Sequence, residues 1–304
     1  MRSEWPLVLF TLLTQAAVGS FAAIGAARML MRPVLPEDLA SALVRAPLAG
    51  VLALLVLAAL GSAGHLLQPL RAWRAARNAR SSWLSVEIVL LGVFAALTAI
   101  VAILEWQGGG GTARDALAAV AASAGAGLLY AMGQLYRLPS RPAWNHPLTP
   151  VSFFVTAALL GVLLVASSLA FTGFAVVGDA KVFPERLAAL DTTLHVLLAA
   201  ASVLLAVEVL VVQAQAALRR EASRRSALPE PRRALLRLQR ATSARTVLAI
   251  AALGLAGWFV LRRPALSVVE FEGALVVWAA FWLTVAESLI GRITFYRERP
   301  VAGV

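Results

Sequence analysis

The chain has 304 residues, 60% of them hydrophobic and 14% charged, with a formal net charge of +11 and no cysteine. A mean hydropathy of +0.80 is more apolar than a water-soluble domain of this length can be, which excludes a soluble enzyme or binding module. The missing thiols exclude structural disulfides, thiolate metal sites and c-type haem attachment.

Eight apolar stretches follow in order, at about 7–30, 43–66, 84–104, 114–136, 150–172, 192–213, 246–261 and 268–290. Each is near the ~20 residues a helix needs to cross a bilayer. Alternating barrel patterning is absent, and backbone polar groups in lipid must be paired within the segment, so helices are expected. The expectation is one all-α integral membrane domain over residues 1–304, with a hint of two four-helix halves. That hint is the recurrence of Tyr136-Arg137 near the end of the fourth span and Tyr296-Arg297 near the end of the eighth. The first stretch is a poor secretory signal. Glu4 sits where a basic region is needed, and the apolar run is too long, so it reads as a retained helix.

Proline spacing agrees with these spans. Pro33, Pro36, Pro69, Pro139, Pro142, Pro147, Pro184, Pro229, Pro231, Pro264 and Pro300 lie between spans or beyond them. Pro6, Pro47 and Pro150 fall at span entrances, where a missing N–H costs nothing. The run Gly108–Gly111 reads as a flexible turn rather than a phosphate loop, since no lysine follows it. The small residues of Ala121–Gly127 allow close helix packing. Arg232–Arg240 sets Leu235, Leu236 and Leu238 among arginines and reads as a short interfacial helix lying on the membrane.

Charge gives an orientation. On the face that holds the N-terminus, here the first face, Arg71, Arg74, Arg77 and Arg80 occupy the loop 67–83 without an acid. Arg137 and Arg141 follow in 137–149. The segment 214–245 holds nine arginines against Glu221 and Glu230, and the tail 291–304 holds three against Glu298. Loops on the opposite face are near neutral, with Arg32, Glu37, Asp38, Glu105, Arg114 and Asp115 among their charges. The positive-inside rule then places both termini in the cytoplasm. The excess charge reads as topology and lipid-headgroup contact rather than nucleic-acid binding, with docking of an acidic partner as a second reading.

Ionisable groups within spans are costly and point to function. His65, Glu87, Gln134, Tyr136, Glu208, Gln213 and Glu287 all fall toward the first face; Gln15 is deeper, and His195 lies near the opposite face. One short arginine-rich loop joins the helices of His65 and Glu87. A histidine that accepts a hydrogen bond and a carboxylate that relays a proton would suit quinol oxidation. The bland alternative is that the two simply bond each other or a backbone carbonyl. Arg71 could steer a quinone oxygen or contact a lipid phosphate. Trp83 and Trp144 could wall a quinone slot or anchor the interface. Asn145 could cap the fifth span or donate to a bound ring. Glu208 and Glu287 read as proton-path residues or helix-end hydrogen bonders, Gln15 as interhelical glue, and His195 as structural.

Four segments carry a family resemblance: EWPLVLFTLLTQAAVGSF at the N-terminus, GSAGHLLQPLRAWRAARNARSSWLSVE at 61–87, YRLPSRPAWNHPLTP at 136–150 and ESLIGRITFY at 287–296. Together they resemble the membrane-anchor subunits of dimethyl sulfoxide reductases, along the whole chain. The resemblance implies a quinol-reactive anchor in the bacterial cytoplasmic membrane, which uses menaquinol or another quinol. It also implies an iron–sulfur partner subunit and a molybdopterin catalytic subunit. It assigns His65 and Glu87 to the quinol site. Arg71, Trp83, Tyr136, Trp144 and Asn145 join them as candidate pocket residues on the residue-level reading. Similar anchors serve sulfite dehydrogenases that reduce quinone.

Paired histidines for a membrane b-type haem are not in place, since the three histidines are His65, His146 and His195, at different levels. Neither haem nor an iron–sulfur cluster is therefore expected on this chain, and the partner must bring its cofactor close to the first face. A secondary transporter is the competing class, disfavoured by unbroken spans and by polar groups gathered at one face rather than the midplane. An inert anchor is the third. The charge rule implies that an iron–sulfur partner beside this site is cytoplasmic.

Overall fold

The computed structural model describes residues 5–63, 82–108, 111–139, 144–177, 184–225, 232–262 and 271–297. Eight helices fill them: α1 (Trp5–Met31), α2 (Glu37–Ala63), α3 (Trp83–Trp106), α4 (Gly111–Leu135), α5 (Leu148–Val177), α6 (Pro184–Arg225), α7 (Arg232–Leu261) and α8 (Phe271–Arg297). All eight are long and apolar enough to cross a membrane, and the described residues contain no strand. The protein is an all-helical, multi-pass membrane protein.

Helix starts follow local chemistry. Pro6 lies in the first turn of α1 and Pro184 opens α6, positions whose N–H has no intrahelical partner. Glu37 and Asp38 stand in the first turn of α2, where acids complement the helix dipole. That early start corrects one expectation: Pro47 lies inside α2, not at its entrance.

Two further expectations need correction. The apolar run predicts a sixth span over 192–213, but α6 runs for 42 residues, about 63 Å at 1.5 Å per residue. Hydropathy stops near Gln213, while Ala, Gln, Leu, Arg and Glu beyond it are strong helix formers and carry the helix on. The same reason applies to Arg232–Arg240. It forms the first turns of α7, continuous with the membrane span, rather than a separate helix lying on the surface.

At the centre α1 crosses α5. The apolar windows of these two helices are 78% and 72% buried, against 28–44% for the other six. Glycine makes the crossing possible. A Cβ on Gly19 would stand 1.7 Å from the Ala157 carbonyl oxygen, and one on Gly161 would stand 2.0 Å from the Gly19 carbonyl carbon. Small residues let membrane helices approach backbone to backbone.

Helix packing repeats with a shift of four helices. The pairs α1–α2, α2–α3, α3–α4 and α1–α4 recur as α5–α6, α6–α7, α7–α8 and α5–α8. Across the seam, α2–α5 and α4–α5 are matched by α1–α6 and α1–α8. The fold is thus two four-helix halves joined through α1 and α5. Four helices per half place the first-face ends of α4 and α8 beside the starts of α1 and α5.

Buried charges are paired at both ends of the bundle. At the opposite face, Arg28 of α1 donates to Glu105 of α3 at 2.5 Å and also pairs with Glu37 of α2. Arg114 of α4 reaches Glu37 at 2.8 Å and Glu105 at 3.3 Å. Charges read from the sequence as near-neutral loop residues therefore tie four helices together. At the first face, Arg245 of α7 donates to Glu208 of α6 at 2.8 Å and to Glu287 of α8 at 2.6 Å. Arg245 and Arg292 belong by sequence position to the basic segments of the first face. Both are buried in the bundle, so the exposed positive excess there is smaller than the sequence suggested.

Candidate functional site

The site is built where α1, α4, α5 and α8 meet at the first face. Tyr136, just after α4, is its centre. Its ring lies 5.8 Å from Trp144 and stacks on Phe153 of α5 at 5.8 Å. It meets Phe295 and Tyr296 of α8 edge-on, each at 5.4 Å. Trp144 is buried, stacks on Phe295 at 4.7 Å and donates its indole N–H to the Phe295 carbonyl at 3.2 Å. This wall is held by its own contacts and bonds, as rigid support for a site should be.

Polar groups enter the wall from three helices. The Tyr296 hydroxyl donates to the Tyr136 hydroxyl at 2.9 Å. The Thr11 side chain of α1 is fully buried and donates to the carbonyls of Leu7 and Val8 at 2.9 and 3.2 Å. Arg292 of α8 lies 3.7 Å over the Phe153 ring, a cation–π contact inside the bundle.

Glu87 projects inward from the second turn of α3, only 5% exposed. Its depth follows from the α3–α4 register. Trp83 contacts Tyr130 edge-on at 5.8 Å, and Leu90 lies against Gly127. Glu87 thus lies level with Leu128, about two turns deeper in the bundle than Tyr136. Its Oε2 has no hydrogen-bond partner. The other buried carboxylates, Glu105, Glu208 and Glu287, are all paired with arginine. Among the described residues Glu87 has no ion-pair partner.

The sequence candidates separate in this geometry. Tyr136 and Trp144 come together, and Glu87 lies deeper, on α3. His65 and Arg71 lie outside the described residues. Trp83 is 45% exposed on the outer surface of α3 and packs on Tyr130, apart from the Tyr136–Trp144 wall. Asn145 is exposed, and the chain before α5 is held by its neighbour instead: His146 Nδ1 accepts the Leu148 N–H at 3.1 Å. Gln134 accepts from Arg137 at 3.4 Å, and Gln213 donates to Thr246 at 2.7 Å. Glu208 and Glu287 belong to the Arg245 network. His195 is bonded to Asp191, one turn earlier on its own helix. Gln15 is fully buried and neither amide atom has a partner, so the interhelical bond expected of it is not made.

Sequence reasoning missed Thr11, Arg292, Phe295 and Tyr296. A signal was present, since Tyr136-Arg137 and Tyr296-Arg297 had been matched as span ends. Two span ends on one face at equivalent places in two halves are candidates for contact, and here they touch.

Among the described residues, eight long apolar helices, paired charges at both ends and one buried carboxylate without an ion-pair partner define a polytopic membrane protein with a buried polar site near one membrane face. The family model that matches this chain is that of the DMSO reductase anchor subunit (DmsC), over residues 1–297. The chain belongs to this family. Comparison with curated proteins gave no match.

Proposed function

We propose that this chain is the quinol-reactive anchor of a molybdenum oxidoreductase complex and passes electrons between the membrane quinone pool and an iron–sulfur partner. Family membership supports the anchor role. The observation that carries quinol reactivity is Glu87: a buried carboxylate oxygen lacking a donor, in the second turn of α3 within an apolar bundle. A buried acceptor left unbonded costs about 1–3 kcal/mol, a cost that a hydroxyl-bearing ligand removes. A quinol hydroxyl is such a donor, and its ring and tail suit an apolar surface.

Glu87 accepts the hydroxyl proton while His65, one arginine-rich loop away in sequence, holds the other hydrogen bond. Arg71 joins the pocket and Tyr136 and Trp144 form its wall, while Trp83 and Asn145, both exposed, stand outside it. The iron–sulfur subunit docks at the first face, close to Glu87, and a molybdopterin subunit binds behind it. Both termini lie in the cytoplasm of a bacterial inner membrane, on the same side as these partners. A sulfite dehydrogenase anchor, with electrons entering the quinone pool, uses the same site in reverse.

The test is to tag the C-terminus, extract the chain in mild detergent and assay what accompanies it. An iron–sulfur protein and a molybdenum-containing subunit are expected. A well-folded chain that purifies alone, free of iron and molybdenum, would contradict the anchor reading. Replacing His65 with Ala is expected to abolish quinol-dependent turnover in an assembled complex.

A further inference from the structure

Among the described residues four arginines are buried: Arg28, Arg114, Arg245 and Arg292. The first three each hold at least two carboxylates. Arg292 holds none, and no described residue accepts a hydrogen bond from its guanidinium. Its contacts are the ring of Phe153, 3.7 Å from Cζ, and that of Phe295, 5.9 Å away. Only 5% of the residue is accessible, and that share reaches the nitrogens, none of which is sealed in without a bond. A buried cation without a partner is costly, and inside a membrane bundle it marks a binding site.

We propose that Arg292 binds a carbonyl oxygen of the oxidised quinone at the aromatic wall of Tyr136 and Trp144. The inference rests on the quinol reading above. Depth selects this ligand over a lipid phosphate. Arg292 lies five residues before exposed Arg297, about 7.5 Å inward along α8. Helical side chains lean toward the N-terminus of their helix, here away from the first face. Phe153, against the guanidinium, is fully buried. A headgroup stays at the interface, whereas a quinone brings an apolar ring and tail to this depth. Hydrogen-bonding character selects the oxidised form. A guanidinium has donors only. Tyr136 accepts the hydrogen bond of Tyr296, and no described residue takes the hydrogen of its own hydroxyl. The Phe153 ring carries both Arg292 and, stacked at 5.8 Å, Tyr136. The wall thus offers donors, as quinone carbonyls require, while Glu87 offers an acceptor, as a quinol hydroxyl requires.

Arg292 also has a neighbouring charge to balance. Arg245 holds Glu208 and Glu287, which leaves that trio one negative charge in excess. Arg245 packs on Gly291, where an added Cβ would stand 2.7 Å from its Cζ, and Arg292 is the next residue in the chain. Any cation at this position offsets that excess. A carbonyl oxygen asks for more, because the planar guanidinium fixes the directions of its donors and sits over the Phe153 ring. Lysine supplies the charge without the fork. The two roles separate on that difference.

The experiment uses the purified complex with Arg292→Lys and Arg292→Gln. Menadione, a soluble naphthoquinone, is titrated as a competitive inhibitor of turnover driven by its reduced form, menadiol. A reduced viologen dye that feeds the partner subunits directly drives the control. Arg292→Gln is expected to raise the inhibition constant of menadione about 10–100-fold, the share of one charged hydrogen bond. Arg292→Lys should raise it in the same direction by less, with the melting temperature held. KM for menadiol should move less than the inhibition constant, and dye-driven turnover should stay at the wild-type rate. If Arg292 only balances the Glu208–Arg245–Glu287 trio, Arg292→Lys binds menadione like the wild type and Arg292→Gln lowers the melting temperature, which overturns the proposal. A wild-type inhibition constant in both variants, with loss of co-purifying anionic phospholipid, overturns it too and assigns the arginine to a headgroup. Glu87→Gln separates this inference from the reading it rests on. If Glu87→Gln is slow with menadiol while both Arg292 variants bind menadione like the wild type, the arginine assignment fails and the quinol site stands. If menadione does not inhibit the wild type and Glu87→Gln turns over normally, the quinol reading itself fails. Should Arg292→Gln fail to assemble, Arg292→Lys carries the test, since it keeps the charge.

Discussion

Gly19→Ala is the sharpest test of the packing, because its effect can be worked from one distance. The added Cβ would stand 1.7 Å from the Ala157 carbonyl oxygen, whereas carbon and oxygen are comfortable at about 3.3 Å. The oxygen belongs to the backbone of a long helix and cannot rotate away. Relief requires α1 and α5 to separate locally by about 1.6 Å, and at the centre of the bundle that opens gaps around both. Overpacking of a tight interior costs about 1–3 kcal/mol, and a backbone-to-backbone clash belongs at the top of that range. At roughly 2–4 °C per kcal/mol for a large domain, the melting temperature should fall by about 6–12 °C. Gly92→Ala is the matched control, since a Cβ there meets nothing within 4 Å and alanine is the better helix former. Thermal unfolding of both variants in the same detergent reads the difference. If Gly19→Ala melts with the wild type, the close α1–α5 crossing is wrong.

Arg245→Met should cost about 3–5 kcal/mol, because it strands Glu208 and Glu287 as unpaired buried carboxylates. Adding Glu208→Gln and Glu287→Gln to it should recover much of that loss in the same melting assay. Arg114→Leu should destabilise less, since Arg28 still neutralises Glu105 and Glu37. Trp144→Phe keeps a stacked ring but deletes the donor to the Phe295 carbonyl, so about 1 kcal/mol is expected from the same melts. A reporter fused to the C-terminus should be active only in its cytoplasmic form. The opposite result would move the partner subunits to the other side of the membrane.

The eight helices were legible because apolar runs near ~20 residues leave a membrane chain little choice. Their ends were not. α6 outlasts its apolar run because helix formers such as Ala217, Leu218 and Arg219 follow without a breaker. Pro47 was misplaced for a related reason: α2 starts at Glu37, in sequence too polar to read as part of a span. Arg28, Arg245 and Arg292 were hidden because sequence gives a charge its position but not its partner. Arg245 looked like the end of a basic loop until Glu208 and Glu287 were found on either side of it. Glu87 was legible from type and position alone, as a carboxylate one turn inside a span. Tyr296 was not, since its role rests on contact with a residue 160 positions away.

The central claim is that quinol chemistry takes place on this chain at Glu87. It is tested most directly by assembling the complex with Glu87→Gln and measuring turnover with a quinol analogue against turnover with a reduced viologen dye. The account predicts that quinol-driven turnover falls by about 100-fold or more while the dye-driven rate is unchanged. Equal quinol-driven rates in the variant and the wild type, with the complex intact, would contradict it.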